Sequence, residues 1–344
     1  MKHEIQQTVQ LEGRYKAIKH KGHKFDEDGN FLEFGEVIEE TGWGKNIITT
    51  VGIDAWMVGG LNMWCVAGAG NSTPSESNTV LASYAGKQTT RPITNVVTRQ
   101  TDPVVGDLYI RTVQRSTFNP GNFGASPVNI AEAGMTFGQS SLALVTASTL
   151  LFSRGLLVDG GGLPTTISVA PDEFLDIVWE FTVYVPYDST GTVSLTIDGV
   201  PTNHTYYVRP HRLDGGAWSW TANTAGATFM GLAAFTPTIG TGTTSTSGTF
   251  LSNGTLVAPT VSLPTTTLAF RASTLVNAAY ITGSKQRQTN GTWTLANGNA
   301  AAPGVQLAVV NLGDTQWQVS YNPPIAKTNT KQLNLSFMLS FANR

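Results

Sequence analysis

The chain has 344 residues and only 13% of them are charged, against roughly a quarter in an ordinary soluble protein, while 36 glycines and 47 threonines crowd it. A net charge of −2 excludes a general polyanion binder, because affinity for a phosphate backbone comes from clustered Lys and Arg that release counterions, so nucleic acid is not expected as a partner. The single Cys65 forms no internal disulfide and no Cys/His group has metal-ligand spacing, so neither a disulfide scaffold nor a zinc module is available, and no cofactor is expected.

No apolar signal segment opens the sequence, and no run approaches the roughly 18 apolar residues of a membrane helix. The sequence reads as a chain made and folded in a cytoplasm, without membrane insertion. Its length suits one large β domain with an insertion, or two modest domains.

Taken in chain order, the first 45 positions stand apart: they hold 16 of the 44 charged residues and three of the five histidines. Mixed charge, short alternating segments and the turn Asp28-Gly29 predict an extended arm or hairpin over 1–45 that docks on a partner, or a solvated hairpin of the same domain. Beyond residue 46 strands dominate. Thr73-Pro-Ser-Glu76 has the grammar of a short helix start, with Thr73 as cap and Pro74 at the first helical position. Residues 141–152 are arguable as helix or strand. Asp159-Gly-Gly-Gly162 lacks the Lys-Ser/Thr ending of a phosphate loop and reads as a hairpin tip.

Ile177, Trp179, Phe181, Val183 and Val185 alternate with Glu180, Thr182 and Tyr184, which predicts a strand with one face on a core. Pro186 ends it. Val193–Ile197 follows with the same period before the hairpin signal Asp198-Gly199, and this strand reads as antiparallel to 177–185. Asp172, Glu173, Asp176 and Glu180 put four carboxylates in nine residues, but Asp176 and Glu180 take the face opposite Ile177 and Trp179, read as solvated or interface-facing rather than catalytic.

Residues 201–304 are richer in Thr, Asn and Gly and separate strands expected to pair, as an inserted β region would. Within them 236–249 is a low-complexity loop. The most site-like cluster is Arg212 and Asp214 with Trp218 and Trp220. Two tryptophans two apart on a strand share a face on which a sugar ring stacks, although both also suit a core or a subunit interface. Near the C-terminus, 308–310 and 317–321 flank the turn Asn311-Leu-Gly-Asp314. Leu333, Leu335, Phe337, Leu339 and Phe341 then alternate with polar residues, and one of these late strands is expected to pair with 177–185. The boundaries are therefore 1–45 for the arm, 46–200 for the core, 201–304 for the insertion and 305–344 for strands completing the core sheet. The fold class is all-β: an antiparallel, jelly-roll-like β-sandwich with little helix, an inserted β-rich region and an extended N-terminal arm.

The segments Asn46-Ile-Ile-Thr-Thr-Val-Gly-Ile-Asp-Ala55, Met63-Trp-Cys-Val-Ala-Gly-Ala-Gly70 and Thr73-Pro-Ser-Glu-Ser-Asn-Thr-Val-Leu81 resemble, in that order, virion structural proteins of tailed bacteriophages. Asn129-Ile-Ala-Glu-Ala-Gly134, Leu151-Phe-Ser-Arg154, Pro164-Thr-Thr-Ile-Ser-Val169, Asp172-Glu-Phe-Leu175 and the C-terminal strand continue the resemblance. It implies a β-rich tail, collar or fibre subunit in a virion, working as a trimer or ring of itself and contacting other tail, collar or head proteins. Low charge and the lack of a nucleophile or metal constellation agree with a non-enzymatic assembly part. The alternatives are a capsid decoration or head fibre, or an adhesin that binds a host-surface glycan or receptor through Trp218 and Trp220.

Overall fold

The computed structural model describes residues 3–25, 31–58, 61–89, 95–139, 141–197, 200–213, 220–223, 226–229, 250–252, 270–271, 274–296, 304–312 and 315–344. The first half of the chain contributes β1 (His3–Phe25), β2 (Phe31–Glu40), β3 (Gly44–Ile48), α1 (Thr50–Val58), β4 (Leu61–Gly68), β5 (Tyr84–Lys87), β6 (Asn95–Gln100), β7 (Leu108–Phe118), β8 (Val128–Ile130), β9 (Glu132–Thr136), β10 (Leu151–Leu156), β11 (Ile167–Val169) and β12 (Phe174–Val185). The second half adds β13 (Ser189–Ile197), β14 (Val200–Leu213), β15 (Trp220–Asn223), β16 (Gly226–Phe229), β17 (Phe250–Ser252), β18 (Phe270–Arg271), β19 (Thr274–Asn277), β20 (Gln286–Trp293), β21 (Val305–Leu312), β22 (Thr315–Ile325) and β23 (Leu333–Asn343). The fold is all-β and sandwich-like. A 15-stranded sheet and a six-stranded sheet, β13-β14-β22-β21-β17-β18, share one hydrophobic core.

The large sheet is organised around β1. One edge of β1 pairs antiparallel with β12, from Gln10↔Tyr184 to His20↔Phe174. The other edge takes three strands in succession: β23 in parallel beside His3–Leu11, β3 beside Gly13–Tyr15, and β2 beside Ile18–Phe25. From β12 the sheet continues to β7 and β6; from β3 it continues through β10 and β9 to β4, then β16 and β15; from β23 it continues to β20 and β19. The described parts of 1–45 are therefore strands of the large sheet rather than a free arm. The hairpin alternative holds for connectivity, but its first strand is not solvated: Ile5, Val9, Leu11, Tyr15 and Ala17 are buried on one face, with Glu12, Arg14 and Lys16 at the alternate positions. The turn Asp28-Gly29 lies outside the described residues.

Rings from three branches of the sheet meet over β1. Trp56 of α1 stands edge-on to Phe152, Phe181 and Phe341 at centroid distances of 6.2, 5.9 and 5.4 Å, and Trp179 stacks on Phe181 at 5.5 Å. Each such ring contributes its buried area and a geometric preference worth about 0.5–1.5 kcal/mol. Helix α1 is where Thr49 caps it, with the Thr49 Oγ1 accepting from Gly52 N at 2.9 Å. The Thr73–Glu76 helix does not form. Ser75 N donates to the Asn78 side chain at 2.8 Å, and a turn closes there with Asn78 N bonded to Ser75 O. Residues 141–152 divide into a short 3-10 turn at Leu142–Leu144 and the start of β10.

Local strand readings hold better than long-range ones. The alternation of β12 and β23 is as expected, and the pairs Ile197↔Val200 and Leu312↔Thr315 close the two predicted hairpins. But β12 and β13 do not pair: Pro186 sends the chain into the other sheet, where β13 meets β14. The partners of β12 are β1 and β7 rather than a late strand. Nor do 305–344 complete one sheet, since β21 and β22 belong to the six-stranded sheet and only β23 to the large one. The described parts of 201–304 join both sheets, β14 in the six-stranded one and β16 and β20 in the large one. The loop 236–249 lies outside the described residues.

A buried ion pair fastens the irregular segment 69–83 to the sheet. The Glu132 carboxylate of β9 accepts from the backbone of Gly70 (3.1 Å), Ser83 (2.8 Å) and Ala82 (3.3 Å) and from Arg154 Nε of β10 (2.6 Å). Arg154 donates in turn to Asn78 Oδ1 (2.8 Å), Ser72 O (2.9 Å) and Ser72 Oγ (3.0 Å). Both side chains are at most 1% exposed. A side chain at Gly70 would collide with Glu132 and Ala82, so that position requires glycine. At the other end of β23, Asn343 bonds both backbone groups of Ile48 and the Glu76 carboxylate, which also pairs with Lys285.

Candidate functional site

The residues singled out by sequence do not assemble into a described site. Asp214 and Trp218 lie outside the described residues. Arg212 is on β14 opposite Gln316, whereas Trp220 opens β15 at the end of the large sheet, so the two stand on strands of different sheets.

The carboxylate cluster is described, and it is not solvated as expected. Asp172 is exposed, but Asp176 is fully buried and Glu180 is 7% exposed. The register of β1, β12 and β7 explains why, since it sets acids against bases on the outer face. Glu180 meets Arg14 at 2.5 Å and Arg111 at 3.4 Å; Asp176 meets His20 Nε2 at 3.2 Å and Arg115 at 3.6 Å. Lys19 spans Glu39 at 3.0 Å and Glu173 at 3.9 Å. Among the described residues, Arg14, Lys16, Lys19 and His20 of the first 45 thus meet acids within the chain. Burial of these opposed charges fixes register, because stranding either partner costs several kcal/mol.

Toward β23 and β20 the same outer face changes character. Gln6, Thr8 and Gln10 of β1 lie beside Met338, Ser340 and Ala342, and Met338 and Ser340 lie opposite Gln288 and Gln286. Gln6 bonds Ser340 at 2.9 Å and Gln288 bonds Ser336 at 2.6 Å. The side chains named here present amides, hydroxyls, one methyl and one thioether.

A cleft of about 550 Å³ opens where the two halves meet, lined by Thr8, Gln10, Asp107, Tyr184, Tyr187 and apolar residues including Pro103, Leu108 and Pro186. It exists because β12 stops at Val185 opposite Leu108 and the chain turns away through Pro186. The wall 101–107 is held by Asp102, whose carboxylate accepts from Val104 N at 2.9 Å. Two aromatic units line the opening, each built from a ring, an arginine and an acid. Arg344 lies 3.9 Å from the centroid of the Tyr184 ring and pairs with Asp107 at 2.9 Å. Arg209 lies 4.7 Å from the Tyr187 ring and grips Asp188 bidentately at 2.5 and 2.6 Å. Tyr184 also donates to Glu12 at 2.8 Å. Burial, followed by that bond, pushes its phenol above the ordinary value, so it remains a donor at neutral pH.

Sequence reasoning passed over this cleft. Tyr184, on the polar side of a strand and just before a strand-ending proline, was its one local signal; Gln10, Asp107 and Arg344 arrive from distant parts of the chain. Among the described residues no three His, Cys, Asp or Glu side chains gather as a metal site, and no helix is long and apolar enough to cross a membrane. No family model, curated protein or solved structure matches the chain.

Proposed function

We propose that this chain is a structural subunit of a tailed-bacteriophage virion, in the tail, collar or fibre apparatus, and that it works without catalysis as one copy in a symmetric homo-oligomer. The observation that supports this reading is the outer face of β23 and β20 around Met338, Ser340, Gln286 and Gln288, with Gln6 of β1 beside it, where these side chains carry no charge; Thr8 and Gln10, farther along β1, line the cleft instead. The cores of subunit interfaces are depleted in charge, and a sheet face of amides and hydroxyls offers donors and acceptors to an identical neighbour without stranding an ion. The resemblance of 46–185 and the C-terminal strand to virion proteins supplies the setting. It also turns attention to other tail, collar or head proteins as further neighbours.

The test is the mass of the purified chain by light scattering, for the parent and for a Met338→Arg, Gln288→Arg variant, together with antibody labelling of tailed particles. The parent is expected as a trimer or ring and the variant as a folded monomer. A monomeric parent, an unaltered variant mass or particles without the chain would reject the reading.

A further inference from the structure

We infer that the cleft between β1 and the 101–107 loop is a binding site for a neutral sugar ring, held against Tyr184 and Tyr187. Its volume of about 550 Å³ lies within the range of small-molecule sites. Each ring already has an arginine stacked on it. Arg344, pinned by Asp107, covers one face of Tyr184, and Arg209, pinned by Asp188, covers one face of Tyr187. Tyr184 also meets Tyr109 edge-on at a centroid distance of 6.0 Å, and both Tyr184 and Tyr187 line the cleft. Aromatic surface is what the C–H face of a pyranose packs on.

The polar lining decides between ligand classes. The two arginines are each neutralised by an acid, which disfavours a ligand of either net charge. Thr8 offers a hydroxyl, Gln10 an amide and Asp107 a carboxylate, so donors and acceptors mix as sugar hydroxyls require. An extended peptide would add to a free strand edge, but Gln10 is already paired on both sides, with Tyr184 and with Ala342. The site does not use Arg212, Asp214, Trp218 or Trp220.

Saturation-transfer NMR on the full chain tests this with methyl glucoside, methyl galactoside and N-acetylglucosamine, and with glucuronate and glucosamine as charged controls. At least one neutral sugar is expected to receive saturation. Affinity is expected to fall by about tenfold or more in Tyr187→Ala, to survive in Tyr187→Phe, and to vanish in Thr8→Trp, which fills the cleft without altering the rings. Thermal melts identify variants folded like the parent. Silence from all three neutral sugars, binding of charged sugars alone, binding that persists in both Tyr187→Ala and Thr8→Trp, or loss in Tyr187→Phe would overturn the proposal. Oligomer mass on the same samples reports separately on the subunit reading.

Discussion

Replacing Arg154 by methionine tests how the irregular segment 69–83 is held. The substitution keeps most of the side-chain volume and removes every donor, so the Glu132 carboxylate, wholly buried, loses its only counter-charge among the described residues. Three backbone N–H groups still reach it, but Asn78 and Ser72 lose the guanidinium that tied them. Removing one partner of a buried pair costs about 3–5 kcal/mol. With an unfolding entropy of about 2.1 cal/mol/K per residue, 344 residues give roughly 0.7 kcal/mol/K, so Tm is expected to fall by about 4–7 °C. Calorimetry reads that shift, and hydrogen exchange locates it: the amides of Gly70, Ala82 and Ser83 are expected to exchange faster while β12 stays protected. A Tm within about 1 °C of the parent, or exchange that rises evenly across the chain, would refute the reasoning.

Gly52→Ala, which in an exposed helix gains about 0.5–1 kcal/mol, is expected to lower the urea midpoint here, because the new methyl would lie 2.6 Å from the backbone of Phe152; a raised midpoint contradicts the packing of α1 on β10. Lys285, then Asn343, holds the Glu76 carboxyl below its ordinary range. Its contribution is therefore present at neutral pH and lost as pH falls below about 4.3. The Tm difference between the parent and Glu76→Gln is expected to shrink to nothing on acidification, and a constant difference argues against the latch. Cys65 is fully buried with its thiol pushed up by that burial, so a thiol reagent is expected to label it only in denaturant. Rapid labelling of the native chain contradicts the burial.

The parts of the fold legible in the sequence were those decided within ten or so residues. Period-two burial in β12 and β23 follows from which side chains are apolar, and the hairpins at 197–200 and 312–315 follow from their turn residues. What could not be read was pairing across the chain. His3–Phe25 alternates as a strand should, but Glu12, Arg14, Lys16, Lys19 and Lys21 obscure its buried positions in the sequence; acids of β12 and β2 make that charge tolerable inside a sheet. Helix α1 was missed because Thr50, Val51 and Gly52 are poor helix formers, and tertiary packing of Ile53, Trp56 and Met57 overrides them. Conversely, Thr73–Glu76 has the grammar of a helix start, yet Asn78 takes its first donor and Lys285 and Asn343 take the carboxylate its capping would use.

The place of β1 also sets a timetable. It is made before its partners, residues 174–184 and 335–343, so its hydrogen bonds cannot be completed until those strands exist. At roughly 5–20 residues per second that is a wait on the order of 20–70 s with an unpaired strand exposed. A bare apolar strand would aggregate in that interval. Glu12, Arg14, Lys16, Lys19 and Lys21 in the middle of β1 keep it soluble while it waits, and the later arrival of Glu180 beside Arg14 and of Glu173 beside Lys19 then balances part of that charge in place.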